Sequence, residues 1–289
     1  MVPGEMKLSY STWGMPNVPI EVAVQHCATL GFDGLELTVI PGWSTDAAIL
    51  SSEDRKHIRR LYDEHELELC GFSGNVPLMA ANAEEGADAM RRFRTYLELA
   101  AEMQHPGEEL IVTTTSGALP EDWHYVRDAL VECLGSVAAY AGTLGVGVGI
   151  EPHVGTALCN PDDVLWVVDQ VNHPALTVHF DVSHFNVQGM DMDEVVQKLA
   201  PVSLHTHVKD ERGIAPNHAF LIPGEGEMDY PKYLKGMQRA GYDGHIVVEV
   251  SLMVQSRPDY DPLAAATQSY RVLAAAFAES GIQRSSNHT

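Results

Sequence analysis

The chain of 289 residues is long enough for one large α/β domain, and its 45% apolar and 20% charged residues are typical of a globular protein with a sizeable core. A net charge of −22 repels nucleic-acid phosphates and anionic lipid headgroups, so we expect neither nucleic acid nor a membrane as a partner. Four scattered cysteines without a CxxC pair, and apolar runs too short for a membrane span, predict a cytoplasmic protein with reduced thiols.

Short β-branched or apolar runs alternate with longer amphipathic stretches along the chain, which is the pattern of parallel strands joined by crossover helices. The predicted strands are 6–11, 34–39, 67–72, 109–114, 146–152, 176–182, 202–208 and 245–250. The predicted helices are 19–30, 47–65, 84–104, 122–143, 161–171, 192–199, 231–240 and 262–280, with the weakest pattern at 192–199.

Eight strand–helix pairs predict one closed (β/α)8 TIM barrel, the α/β fold that uses this number of repeats. A doubly wound open sheet is the rival fold, but no glycine-rich phosphate turn follows the first strand. We expect a single catalytic barrel domain over residues 1–281 and a disordered tail at 282–289. The longest irregular stretches are predicted at 73–83, 115–121 and 209–230, after strands, where barrels build their active sites.

Four consecutive strands end in polar residues, although barrel interiors are normally apolar. These residues are Glu151, Asp181, His207 and Glu249, each one strand–helix unit after the last. A single polar strand end is unremarkable, but three carboxylates and an imidazole at one barrel mouth repel each other unless a cation binds them. The set therefore predicts one divalent metal, with Mn²⁺ preferred and Mg²⁺, Co²⁺, Fe²⁺ or Zn²⁺ as alternatives.

Six motifs are spread over nearly the whole chain, namely GFDGLEL (31–37), GIEPH (149–153), FDVSH (180–184), HVKD (207–210), PGEGEMDY (223–230) and GYDGHIVVEVS (241–251). With these motifs the chain resembles the sugar phosphate isomerase/epimerase family of xylose-isomerase-like TIM barrels. The resemblance implies the same four metal ligands, and it implies that His184 and Lys209 contact the substrate.

The resemblance also implies a reaction in which metal-bound sugar loses a proton next to its carbonyl, with Glu151 and Glu249 moving protons. The chain departs from the ketose 3-epimerases, which carry a further Glu and Arg where this sequence has Ala157 and Gly213. His153 lies on the same strand face as Glu151 by alternation, so it is a candidate for an additional acid or base, with a structural role as the alternative.

Further residues near the strand ends are candidates for binding the sugar. Arg212 follows the histidine motif, Trp13 and Phe72 end strands one and three, and Glu225 lies between two glycines. Each has a structural alternative, namely loop packing for the aromatic residues and solvation for the charged ones. His179, His205 and Glu36 share strand faces with the site and are expected to support it from below.

The sequence leaves several functions open. A metal-dependent isomerase or epimerase of a small, non-phosphorylated sugar, ketosugar or cyclitol is preferred, because few basic residues are available to bind phosphate. A lyase or dehydratase that performs β-elimination on a 3-keto-sugar or 3-keto-glycoside is the alternative. An endonuclease IV-like nuclease and a non-catalytic sugar-binding barrel have less support. A homo-oligomer is compatible with the sequence, which does not determine the oligomeric state.

Overall fold

The computed structural model describes residues 5–80 and 82–284 of the chain. In this part of the chain the strands are β1 Lys7–Ser11, β2 Gly34–Thr38, β3 Glu68–Met79, β4 Ile111–Gly117, β5 Gly147–Glu151, β6 Leu176–Asp181, β7 Ser203–Val208, β8 Asp210–Arg212, β9 Ala219–Leu221 and β10 His245–Val248. The α-helices are α1 Ile20–Leu30, α2 Ser52–Glu64, α3 Ala83–Met103, α4 Trp123–Leu144, α5 Pro161–Val171, α6 Ser183–Asn186, α7 Met192–Leu199, α8 Tyr230–Arg239, α9 Leu252–Gln255 and α10 Pro262–Ser280.

Eight of these strands form a closed parallel barrel in the order β1-β10-β7-β6-β5-β4-β3-β2. Helices lie between successive barrel strands, so the structure confirms the predicted (β/α)8 fold. Strands β2, β5 and β6 are buried at every position, because one face fills the barrel and the other packs against helices. Parallel strands place all their carboxyl ends at one mouth, and this mouth holds the predicted site.

Local sequence explains where several helices begin and end. The Asn160 side chain accepts a hydrogen bond from the Asp162 amide (2.9 Å), and Pro161 occupies the first helical position of α5. Ser51 and Asp54 form a capping box at the start of α2. Gly31 ends α1 in the left-handed conformation, with φ of 94°.

Two loops predicted as irregular are partly strand. β3 continues to Met79 and β4 continues to Gly117, because their ladder resumes at Val76 after a shift of register. Asn75, with φ of 39°, lies in the shifted segment. Within the stretch predicted as irregular at 209–230, β8 and β9 form an antiparallel hairpin. These pairings depend on partner strands distant in sequence, so local patterns did not predict them.

The beginning of the predicted tail at 282–289 packs onto the barrel. Ile282 is buried, and Arg284 forms an ion pair with the buried Asp33 (2.9 Å) and bridges to Met6. Residues 285–289 of that prediction lie outside the described residues. In the part of the chain that the structure describes, no helix is both long enough and apolar enough to cross a membrane.

Candidate active site

The four residues predicted as metal ligands lie together at the carboxyl-end mouth of the barrel. Glu151 and Asp181 end β5 and β6, His207 lies in β7, and Glu249 follows β10. Ligand atoms of Glu151, Asp181 and His207 lie within 4.8 Å of one another, and Glu249 Oε1 is 3.8 Å from His207 Nδ1. All four side chains are buried. Such a density of buried acidic groups needs compensating positive charge.

His207 is held by a carboxylate on the side away from this cluster. Its Nε2 lies 3.0 Å from both carboxylate oxygens of Glu36 and donates to them. Its Nδ1 is buried without a hydrogen-bond partner among the described residues and faces Glu249. Burial alone would lower the pKa of His207, but the adjacent Glu36 raises it to about 9. After loss of that proton, Nδ1 offers a lone pair to a cation, which is a common geometry for metal-binding histidines.

Glu36 is the centre of the hydrogen-bond network below the mouth. Besides His207, it accepts from the Ser11 hydroxyl and from His205 Nε2 (2.6 Å). Burial alone would raise the pKa of Glu36, but the two imidazoles hold it well below its usual range. Gly71 leaves space for this arrangement, because a Cβ there would lie 2.9 Å from the His205 ring. The Glu36 carboxylate therefore stays ionised and fixes the orientation of His207.

Lys209 supplies positive charge inside the cluster. Its Nζ lies 2.5 Å from Asp181 Oδ2 and also forms an ion pair with Glu249. Burial alone would raise the pKa of Asp181 and lower that of Lys209, but their mutual attraction reverses both shifts. The space between Asp181 and Glu249 is thus one in which the protein stabilises a cation.

A divalent cation fits these residues for two reasons. The donor set combines three carboxylates with one imidazole, which suits a hard or borderline cation. In addition, the unpartnered Nδ1 of His207 is a buried polar atom that a metal bond would satisfy. Asp181 Oδ1 is oriented by the amide (2.9 Å) and hydroxyl (2.6 Å) of Ser183.

Two further histidines lie beside the carboxylates. His184 Nε2 is 3.5 Å from Glu151 Oε1 and 3.7 Å from Asp181 Oδ2, and the ring centroids of His153 and His184 are 3.7 Å apart. Burial, reinforced by nearby positive groups, lowers the pKa of His153 to about 4 and that of His184 to about 3. Both imidazoles are therefore neutral at pH 7. Burial raises the pKa of Glu151 despite the neighbouring His153, which makes this carboxylate a better proton acceptor.

These side chains line a cavity of about 360 Å³ at the barrel mouth. Six predicted site residues are brought together there, namely Trp13, Glu151, His153, His184, Lys209 and Glu249, while Asp181 and His207 lie against them. The cavity also contains residues that the sequence did not predict. They are Asn75, Thr115, Phe220, Ser251, Leu252 and Met253. The first three of these had a local signal, because they fall in the long stretches predicted as irregular after strands.

Three residues predicted to bind substrate lie elsewhere. Phe72 is fully buried in the core, because β3 continues past it and it is not a strand end. Arg212 donates to the Glu225 carbonyl (2.8 Å) and lines a different cavity beyond the β8–β9 hairpin. The Glu225 carboxylate pairs with Arg257 (2.8 Å), so it too is used outside the site.

Comparisons with known proteins agree with this architecture. Residues 24–276 match the family model described as a xylose isomerase-like TIM barrel. A fructoselysine 3-epimerase from Escherichia coli O157:H7 is 27% identical, with 88% of this chain and 93% of the relative covered. An inosose dehydratase from Geobacillus thermodenitrificans is 21% identical over 85% of this chain and 88% of the relative.

Solved structures give the same picture of the fold. A 3-keto-D-glucoside 4-epimerase from E. coli superposes with a TM-score of 0.74 at 17% identity, covering 94% of this chain and 100% of that one. The IOLI protein with a bound zinc atom superposes with a TM-score of 0.79 at 16% identity, covering 95% and 99%.

Proposed function

Since the chain belongs to the xylose isomerase-like TIM barrel family, we propose that it is a divalent-metal-dependent isomerase or epimerase of a non-phosphorylated sugar, ketosugar or cyclitol. The relative named as a fructoselysine 3-epimerase supports a sugar substrate. One observation carries the proposal. The buried Glu151, whose pKa is raised, has a carboxylate oxygen within 4.8 Å of ligand atoms of Asp181 and His207, and the unpartnered Nδ1 of His207 faces Glu249.

The metal would be held by Glu151, Asp181, His207 and Glu249, with Mn²⁺ as the preferred ion. When bound, a divalent cation polarises a carbonyl oxygen and makes the adjacent C–H group more acidic. The protein itself contributes the orientation of the ligands, through Glu36 behind His207 and Ser183 behind Asp181. Zinc in the like-folded IOLI structure is consistent with a cation in such a barrel.

Two carboxylates on different sides of the cluster, Glu151 and Glu249, take part in proton transfer. Glu151 accepts the proton from the carbon next to the carbonyl, and the neutral His184 lies beside it, with Nε2 3.5 Å from Glu151 Oε1. Glu249, paired with Lys209, approaches from β10, which two strands separate from β5 around the barrel. A proton removed by Glu151 on one side and a proton returned on the other side from the Lys209–Glu249 ion pair invert the carbon, which is epimerisation.

The charge of the cavity favours a substrate without phosphate. Among the described residues, Lys209 is the one lysine or arginine that lines it, and its ammonium is already paired with two carboxylates. Phosphate binding needs arginines, lysines or backbone amides grouped around the anion. The cavity instead carries carboxylates and neutral imidazoles, which suit sugar hydroxyl groups.

A second candidate function is elimination, as in a lyase or dehydratase acting on a 3-keto-sugar or 3-keto-glycoside. The contact between His153 and His184 favours it, because a second imidazole beside the base offers a hydrogen-bond partner for a departing oxygen that takes up the proton Glu151 removed. Ala157 and Gly213 stand where the ketose 3-epimerases carry Glu and Arg, and one relative is named an inosose dehydratase. The nuclease alternative has less support, since the net charge of −22 repels DNA.

Incubation of the Mn²⁺-loaded protein in D₂O with ketohexoses and with 3-keto-glycosides separates these functions by NMR. Deuterium at the carbon next to the carbonyl, without loss of mass from the substrate, indicates isomerisation or epimerisation. Release of water or aglycone indicates elimination. No exchange with either class of substrate would refute the proton-abstraction mechanism. The variant Glu151→Gln should abolish exchange, whereas Glu227→Gln, which changes an exposed carboxylate between β9 and α8, should not.

A further inference from the structure

The active-site cavity has two chemically different ends. Glu151, Lys209 and Glu249 form its inner end, against the barrel. Leu252 and Met253 form part of its outer edge, and Phe220 and Trp13 continue the apolar wall. The outer side chains offer no charge and few hydrogen-bond groups, so a sugar that is hydrogen-bonded at the inner end gains little from them.

Leu252 and Met253 are exposed although they are large and apolar. The exposed fractions are 54% for Leu252 and 48% for Met253, and both residues lie on the short helix α9, which begins three residues after Glu249. A single exposed apolar side chain is ordinary, but adjacent ones at the mouth of a ligand cavity are typical of a binding surface. We call Trp13, Leu252 and Met253 the apolar lip; Phe220 is buried and lies under Lys209, between the lip and the inner end.

The lip is fixed by hydrogen bonds and stacking within the protein. Gln255 Nε2 donates to the Trp13 carbonyl (2.9 Å) and to the Val250 carbonyl (2.8 Å), which ties α9 to the loop after β1. The Trp13 ring stacks on Trp43, with centroids 4.8 Å apart and planes 19° from parallel. A surface built in advance loses little conformational entropy when a ligand binds.

We infer that the apolar lip is a subsite for an apolar substituent of the sugar substrate, such as the aglycone of a keto-glycoside. This inference rests on the proposed function, because it places the sugar at the carboxylate end of the cavity. The aglycone, on the anomeric carbon two positions from the carbonyl, then leaves the inner end and meets the lip. A second copy of the chain fits less well, since a stable dimer buries about 800 Å² per partner and the lip presents two exposed side chains.

The experiment compares methyl and phenyl 3-keto-β-D-glucosides as substrates of the Mn²⁺-loaded protein, with deuterium incorporation from D₂O as the measured rate. We expect kcat/KM to be about tenfold higher for the phenyl compound, from the apolar area that the phenyl ring buries on the lip. In the double variant Leu252→Ser/Met253→Ser, this ratio should fall to near one. The matched control is Ile49→Ser, an exposed apolar residue outside the cavity, which should keep the ratio.

The possible failures are distinguishable. If both compounds exchange and the ratio is near one in the unmodified protein, the subsite is refuted while the proposed function stands. If neither keto-glucoside exchanges while a ketohexose does, the subsite is refuted and the proposed function stands; if the ketohexose does not exchange either, the proposed function fails. If the ratio survives in the double variant, the lip does not bind the substituent. A change of molar mass in that variant by light scattering, with the ratio unchanged, would instead assign the lip to contact between two copies of the chain.

Discussion

Replacing Asp181 with Asn should remove the metal from the protein. The amide oxygen of the new side chain can keep the hydrogen bonds from Ser183, but its amide nitrogen would face the Lys209 ammonium, which now lies 2.5 Å from a carboxylate oxygen. The amide cannot replace the lost negative charge. Because even removal of a residue that only supports a ligand costs about 10–100-fold in metal affinity, we expect a loss of more than about 100-fold here.

The same substitution should destabilise the protein without metal. Removing one partner of a buried ion pair costs about 3–5 kcal/mol, and the second pairing of Lys209, with Glu249, places the expected cost toward about 3 kcal/mol. At about 2–4 °C per kcal/mol for a chain of this size, the melting temperature in EDTA should fall by about 6–12 °C.

Titration with Mn²⁺, followed by the electron paramagnetic resonance signal of the free ion, measures the affinity. The control is Asp193→Asn, which removes an exposed carboxylate from α7 that pairs with Arg239 (3.2 Å) and Lys232 (3.1 Å). This variant should bind one ion per chain with the affinity of the unmodified protein. If Asp181→Asn does so as well, the assignment of the metal ligands is wrong.

Three further outcomes follow from the site and its surroundings. Burial raises the pKa of Glu211 to about 8, so the folded chain binds a proton there that the unfolded chain releases near pH 4.5, and stability falls as pH rises between these values. Glu211→Gln should therefore melt several degrees higher than the unmodified protein at pH 8.5 but not at pH 4. The control Glu227→Gln, at an exposed residue, should melt at the temperature of the unmodified protein at both pH values. Equal melting temperatures of Glu211→Gln and the unmodified protein at pH 8.5 would contradict this. Chelation should stop deuterium exchange and added Mn²⁺ restore it, and exchange that continues in EDTA would exclude a metal requirement. If the reaction is elimination, His153→Phe should slow the release of water or aglycone more than about tenfold. If it is epimerisation, the same variant should keep the rate of deuterium exchange within a few-fold, and the NMR assay measures both rates.

The sequence determined the barrel and placed the four predicted metal ligands at one mouth of it. Alternating strand and helix patterns are local properties of the chain, and eight of them satisfy one closed parallel sheet. Because the carboxyl ends of parallel strands lie at one mouth of the barrel, the polar residues at the ends of β5, β6, β7 and β10 had to lie close together. Glu151, Asp181, His207 and Glu249 could therefore be placed together without coordinates.

Only the tertiary structure decided what surrounds those ligands. Phe72 lies in the core because β3 continues past it through a register shift against β4. Arg212 lies outside the cavity on the β8–β9 hairpin, whose pairing has no local sequence pattern. The same hairpin brings Phe220 under Lys209, and α9 brings Leu252 to the cavity edge. The alternation of side chains along a strand fixes which face each residue occupies, so the positions of the four predicted ligands followed from the sequence. The path of a loop depends on contacts between residues far apart in sequence. The loop residues that line the cavity therefore could not be predicted from local patterns.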